Sequence, residues 1–159
     1  MEIANPRAER NDGNDVLKSL AVFTSFVLAN PLGVIATTAP DGQPEAALVS
    51  FAIALDGSLL FNTNLAARKL NNLIVDSRAA AVIGCGGAQT LQVEGKTIIE
   101  YGSARHSAGL LYLQQFPGSR ALDDAFALVR LIPEWLRSYD TGTEPAHVIE
   151  GIPTWRVPE

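Results

Sequence analysis

Pro40-Asp41-Gly42 and Asp56-Gly57 constrain this chain more than any other pair of short stretches. Pro presets φ, Gly accepts a positive φ, and Asp-Gly closes hairpins, so each stretch marks a reversal of direction. Around them lie Gly33 to Thr38, Pro44 to Ala54 and Ser58 to Thr63, all short and rich in β-branched or apolar residues. The pattern predicts three consecutive strands joined by tight turns, an antiparallel meander.

Helical spacing flanks the meander. From Asp15, the residues Val16, Leu17, Leu20, Val22, Phe23, Phe26 and Val27 recur on one helix face up to Ala29-Asn30-Pro31, where proline cannot continue a helix. Asn64 to Ile74 offers Ala66, Leu70, Leu73 and Ile74 with Arg and Lys between them, a second amphipathic helix. Ala79 to Gly84 and Gln89 to Gly102 read as strands, the latter β-branched on either side of Glu94-Gly95-Lys96. Ala104 to Phe116 carries Ala108, Leu110, Leu111 and Leu113, a third helix. Phe126 to Ile132 is a strong strand that Pro133 interrupts; Trp135 to Tyr139 continues it, and His147 to Glu150 is a last short one. This order suits an α+β fold, a small antiparallel β-barrel with helices over its ends and seams.

Composition narrows the function classes. The 159 residues suit one domain over 15–159, with a polar, frayed N-terminus over 1–14. With 47% hydrophobic residues there is material for a packed core, yet no apolar run approaches the about 20 residues a bilayer demands, so no membrane span is expected. Met1 to Gly13 is polar and of mixed charge, and no signal peptide is visible. Twelve basic against 17 acidic residues give a net charge of −5, which argues against a general nucleic-acid binder. The single cysteine, Cys85, excludes an intramolecular disulfide and a multi-cysteine metal site, and a reducing, cytoplasmic compartment is the default.

The most informative stretch is Asn62-Thr63-Asn64-Leu65-Ala66-Ala67-Arg68-Lys69. It ends a strand in small polar groups and opens a helix with two adjacent cations, so hydroxyl, amide and backbone donors converge with positive charge where a phosphate can sit. The same spacing also suits a solvated Arg-Lys pair beside ordinary capping residues. Elsewhere the signals are thinner. His106 has no evident carboxylate partner, Ser50 and Ser107 belong to no His/Asp constellation, and Cys85 lies in a Gly-rich stretch that suits an inert thiol as well as a reactive one.

Taken from Leu28 to Trp155, the chain resembles the pyridoxamine-phosphate-oxidase-like, FMN-binding split-barrel family. The resemblance rests on the Gly33 to Val49 hairpin, the Asn-Thr-Asn-x-x-Ala-Arg-Lys run and the Asp76-Ser77-Arg78-Ala79-Ala80-Ala81-Val82 strand entry, all in order. It implies a split barrel holding FMN, with Arg68 and Lys69 on the phosphate and Asn62 and Thr63 lining the flavin. It also implies that Val49 and Ser50 lie on a strand along the flavin edge. Gln92, in Gln-Val-x-x-Gly, matches a family glutamine whose amide contacts the cofactor. Pro133 to Tyr139 resembles the family's Pro-x-x-x-Glu-Phe-Trp strand and puts Tyr139 where a tryptophan nears the flavin; at this spacing Tyr139 also suits the core or a dimer contact.

The chain departs from the vitamin B6 enzymes of that family at several places. Ala47 and Ala52 stand where those enzymes carry an Arg for the FMN phosphate and a Lys for the substrate phosphate. Pro145-Ala146-His147 keeps the histidine of an Arg-Leu-His loop and loses its arginine, and Ile149 replaces a further arginine. The resemblance therefore implies a small FMN-dependent oxidoreductase without efficient use of pyridoxamine 5′-phosphate. A non-catalytic flavin carrier or sensor is a second reading, and the same groove used for a deazaflavin or haem a third. A homodimer with composite flavin sites is expected, since a barrel this small has little depth in which to bury FMN.

Overall fold

The computed structural model describes residues 15–156; the frayed N-terminus expected over 1–14 lies outside them. Three helices and eight strands follow in chain order: α1 (Leu20–Ala29), β1 (Leu32–Thr38), β2 (Pro44–Ser50), β3 (Ala52–Ile53), β4 (Leu59–Asn64), α2 (Arg68–Val75), β5 (Arg78–Ile83), β6 (Gln89–Ile99), α3 (Gly102–Gln115), β7 (Phe126–Asp140) and β8 (His147–Gly151). All strands join one antiparallel sheet in the order β2-β1-β5-β6-β7-β4-β3, with β8 beside β7. The sheet curls into a half-barrel, the split-barrel architecture the sequence implies.

The expected meander is divided. Residues 44–54 do not run as one strand: the pairing with β1 ends on the bond from Phe51 N–H to Pro31 O at 2.7 Å, since proline has no N–H to return, and the chain passes from the β2 edge of the sheet to the β3 edge. Gln115 of α3 then brackets Ile53, accepting from its N–H at 3.0 Å and donating to its carbonyl at 2.9 Å. A side chain there does what a further strand would do, and the short edge is closed. The first helix is also shorter than its apolar spacing. Asp15 Oδ1 accepts from Leu17 N–H at 2.8 Å and Ser19 Oγ from Val22 N–H at 3.3 Å, so local side-chain bonds hold 16–18 in a turn and cap the helix at Ser19.

Pro133 interrupts nothing. β7 runs unbroken through it because its partner β6 shifts register there: Glu94 faces Trp135 and Gly95 faces Pro133, leaving Glu134 as the extra residue of a bulge. Gly95 makes the approach possible, since a Cβ at this position would lie 1.9 Å from the Ile132 carbonyl oxygen. The bulge falls where β7 changes partners on its other edge, β4 pairing with 126–131 and β8 with 136–140, so the missing N–H of proline costs no ladder bond.

Strand alternation sorts the core in two. Ile35, Val49, Phe61, Val93, Val129 and Leu136 fill the concave side with Phe23 and Val27 of α1 and Leu70 and Leu73 of α2. Leu60 and Leu128, on the opposite face, pack with Ala108 and Tyr112 beneath α3. Helix α1 closes the end of the curl near Gly57 and Trp155, while α2 covers the end where Thr37 and Glu45 finish the β1–β2 pairing.

Candidate functional site

Helix α2 starts four residues later than the spacing predicts. Asn64 Oδ1 accepts from Ala66 N–H at 2.8 Å and Asn64 O from Ala67 N–H at 3.0 Å, a local turn that postpones the helix to Arg68. The residue before it, Ala67, supplies no capping side chain, so the first turn keeps the positive end of its peptide dipoles open. Arg68 and Lys69 occupy that turn and line a groove of about 460 Å³ with Ile35, Thr37, Gln43, Glu45 and Ala47. Lys69 is half-buried there and makes no ion pair among the described residues.

Arg68 is engaged by an acid that the sequence reading missed. Its guanidinium pairs with Glu45, whose other oxygen accepts from Asn72 Nδ2 at 2.9 Å; the same nitrogen reaches Thr37 Oγ1 at 3.0 Å. The period of two along β2 contained this signal, since Glu45 shares the inner face with Ala47 and Val49 and is the only charged residue of that strand. Thr63 is inward-facing on β4, buried, and its Oγ1 is the one buried side-chain polar atom without a partner among the described residues. An orphaned hydroxyl and a half-buried, unpaired ammonium are the features a phosphate-bearing ligand satisfies.

The other singled-out residues divide between two faces. Val49 is in the inner core. Asn62, next to Thr63 but on the α3 side, donates to Ser119 Oγ at 3.3 Å, and the Ser50 carbonyl accepts from Tyr112 Oη–H at 3.0 Å on that same side. Gln92 and Tyr139 stand elsewhere, exposed on the convex face of β6 and β7, where Gln92 lies opposite Arg137 and Tyr139 opposite Thr90 and Val148. Neither lines the groove beside Lys69. Around them the convex face mixes exposed apolar side chains, Leu48, Val82 and Val148, with the Arg137–Glu150 ion pair and Glu94.

The remaining candidate residues lie outside the groove. His106 is exposed on α3, His147 is half-buried at the start of β8 opposite Asp140, and Cys85 is an exposed free thiol after Gly84. Among the described residues no group of three or more His, Cys, Asp or Glu side chains could hold a metal ion, and no helix is long and apolar enough to cross a membrane.

The family model described as pyridoxamine 5′-phosphate oxidase matches residues 21–139. Among solved structures, a conserved hypothetical protein from Mycobacterium tuberculosis is 26% identical, with 77% of this chain and 84% of that one covered and a TM-score of 0.65. A haem-binding protein from Mycobacterium smegmatis gives a TM-score of 0.70 at 19% identity, covering 86% of this chain and 59% of that one. A pyridoxamine 5′-phosphate oxidase-related, FMN-binding protein from Nostoc punctiforme gives 0.59 at 17% identity, covering 84% and 91%. The last two likenesses are of fold. No curated protein matches the chain.

Proposed function

The chain belongs to the pyridoxamine 5′-phosphate oxidase family, and from that premise we propose that it is a cytoplasmic FMN-binding protein that works as a small oxidoreductase. The observation that carries this reading is the half-buried, unpaired Lys69 beside Arg68 at the uncapped start of α2, in a groove large enough for a phosphate and the chain that bears it. Thr63 supplies a hydroxyl that lacks any protein partner. Bound FMN would supply the redox chemistry, so no protein acid or base is obligatory. What the chain itself does is bind and orient: Lys69 and Arg68 hold the phosphate and Thr63 offers its hydroxyl from the inner face, whereas Asn62 and Ser50, on the α3 side, and Val49, packed in the inner core, stand off the groove.

Gln92 and Tyr139 serve the same purpose from a second copy. They are exposed on the convex face, away from the groove of their own chain, and the apolar residues around them suit a two-fold partner. A homodimer would then close each flavin between the groove of one chain and the convex face of the other. Neither histidine lines the groove, which leaves a haem there without an axial ligand from it. Ala52, buried beneath α3, and Pro145 offer no cation for a substrate phosphate, so pyridoxamine 5′-phosphate is expected to be a poor substrate.

Titration of the purified protein with FMN, followed by quenching of flavin fluorescence, tests the reading. Replacing Arg68 and Lys69 together by Ala should raise the dissociation constant at least about tenfold, the effect of about 1.4 kcal/mol. An unchanged titration sinks the assignment. The FMN-loaded protein should turn over pyridoxamine 5′-phosphate more slowly than about 1 per second, and a faster rate would refute the argument from the missing cations.

A further inference from the structure

The groove that holds two cations also holds a fixed anion. Glu45 lies between Arg68, at the start of α2, and Asn72, one turn further along the same helix. Its tether to Asn72 at 2.9 Å continues to Thr37 at 3.0 Å, and both of those residues are buried. The two members of the ion pair differ in freedom: the Arg68 side chain is 79% exposed and that of Glu45 15%. A carboxylate held from beneath stays where it is, whereas a guanidinium on a long, solvated stem can leave. A pair whose arginine is this solvated gives little stability of its own.

We propose that Glu45 is an internal competitor for Arg68 and sets how strongly the groove discriminates a phosphorylated flavin from an unphosphorylated one. The proposal rests on the flavin reading above. With Glu45 paired, Arg68 and Lys69 together present one net positive charge instead of two. A phosphate monoester near neutral pH carries about −1.5 to −2, and it gains the Arg68 guanidinium only by displacing a carboxylate that already holds it. Glu45 therefore lowers affinity for the phosphate without touching the ring system. Riboflavin, which has the ring and the ribityl chain but no phosphate, has nothing to gain from Arg68.

Glu45→Gln removes the charge and keeps an amide oxygen for Asn72. Wild type and variant are titrated with FMN and with riboflavin by fluorescence quenching, and thermal unfolding confirms that both are folded; Glu45→Ala repeats the comparison if the glutamine disturbs packing. FMN should bind the variant about tenfold more tightly, while riboflavin changes by less than about twofold. In an Arg68→Ala background the gain for FMN should fall below about threefold, because it passes through Arg68. Equal FMN affinity for wild type and Glu45→Gln, or an equal gain without Arg68, overturns the competition and leaves the flavin reading intact. A protein that takes up neither flavin, with or without Glu45, removes both.

Discussion

Strand β7 has two halves that meet different surroundings. From Phe126 to Leu131 it pairs with β4 and β6 and is covered on both faces, Leu128 packing with Leu60 and Tyr112 beneath α3 while Val129 and Leu131 face the inner core. From Leu136 to Asp140 it pairs with β8 and β6; Leu136 faces the core, and Arg137 and Tyr139 point to the open convex face. The first half reads Phe-Ala-Leu-Val-Arg-Leu, the second Leu-Arg-Ser-Tyr-Asp. A strand buried on both sides has no polar face to alternate with, whereas one buried on a single side must alternate. Packing specifies the residues of the first half. On the open face of the second, packing specifies little, and those positions are available for a ligand or a second chain.

The joint between the halves should be the most sensitive point. Gly95→Val places a branched side chain where even a Cβ would sit 1.9 Å from the Ile132 oxygen, a backbone atom that cannot turn aside. The expected cost is about 4 kcal/mol or more, read as a collapse of the urea midpoint or failure to fold. A loss under about 1 kcal/mol would mean that β6 and β7 can separate at the bulge and that the halves are not rigidly joined. Within the doubly covered half, Leu128→Ala should cost about 3 kcal/mol, since a fully buried leucine between the sheet and α3 leaves a cavity. A cost as small as that of a surface change would show α3 to be loosely seated.

The same contrast explains what the sequence disclosed. Strand positions followed from short β-branched and apolar runs bounded by turn residues, which act locally, and so did the helix stop at Pro31. What escaped was decided at a distance. The end of β2 at Phe51 depends on Pro31 and on α3, the unbroken course of β7 depends on Gly95 across the ladder, and the late start of α2 depends on an Asn64 turn that helical spacing masks. In the candidate site, Arg68 and Lys69 were legible as charge beside a strand end. Glu45 was legible only as an acid on the inner face of an apolar strand, and its pairing with Arg68, 23 residues away, needed the folded chain.

A smaller effect is expected where α3 meets the sheet through a hydroxyl. Burial pushes the Tyr112 hydroxyl up to about 12 from its ordinary 10.0, against the opposing effect of hydrogen bonds from the Asn62 backbone and the Ser50 side chain, and the protonated hydroxyl donates to the Ser50 carbonyl at 3.0 Å. A raised value in the folded state means that folding favours the protonated phenol. The contribution is complete below pH 10 and is lost as pH rises through about 12. Tyr112→Phe should cost about 1 kcal/mol at neutral pH, the net value of one hydrogen bond. It should also flatten the fall of stability over that alkaline window in urea titrations at stepped pH. A variant with an unaltered alkaline slope would show that Tyr112 is not the group responsible.

The smallest effect on folding should come from the open half, and that smallness is itself informative. Tyr139 is 40% exposed, beside Val148 on one neighbouring strand and Thr90 on the other. Tyr139→Ser removes no buried ring and breaks no hydrogen bond of the ladder, so the stability of the isolated chain should change by less than about 0.5 kcal/mol. If the convex face covers the flavin of a second copy, the same substitution should still weaken association. Sedimentation equilibrium at micromolar concentration should then show wild type at twice the chain mass and the variant shifted toward the monomer, with flavin loading falling in step. An aromatic ring at an interface contributes through the area it covers, a contribution that is absent from the unfolding curve of one chain and present in the assembly equilibrium. A variant that unfolds like wild type and also dimerises and loads flavin like wild type would make Tyr139 an ordinary surface residue. The second half of β7 would then need another reason for its exposed aromatic and apolar side chains.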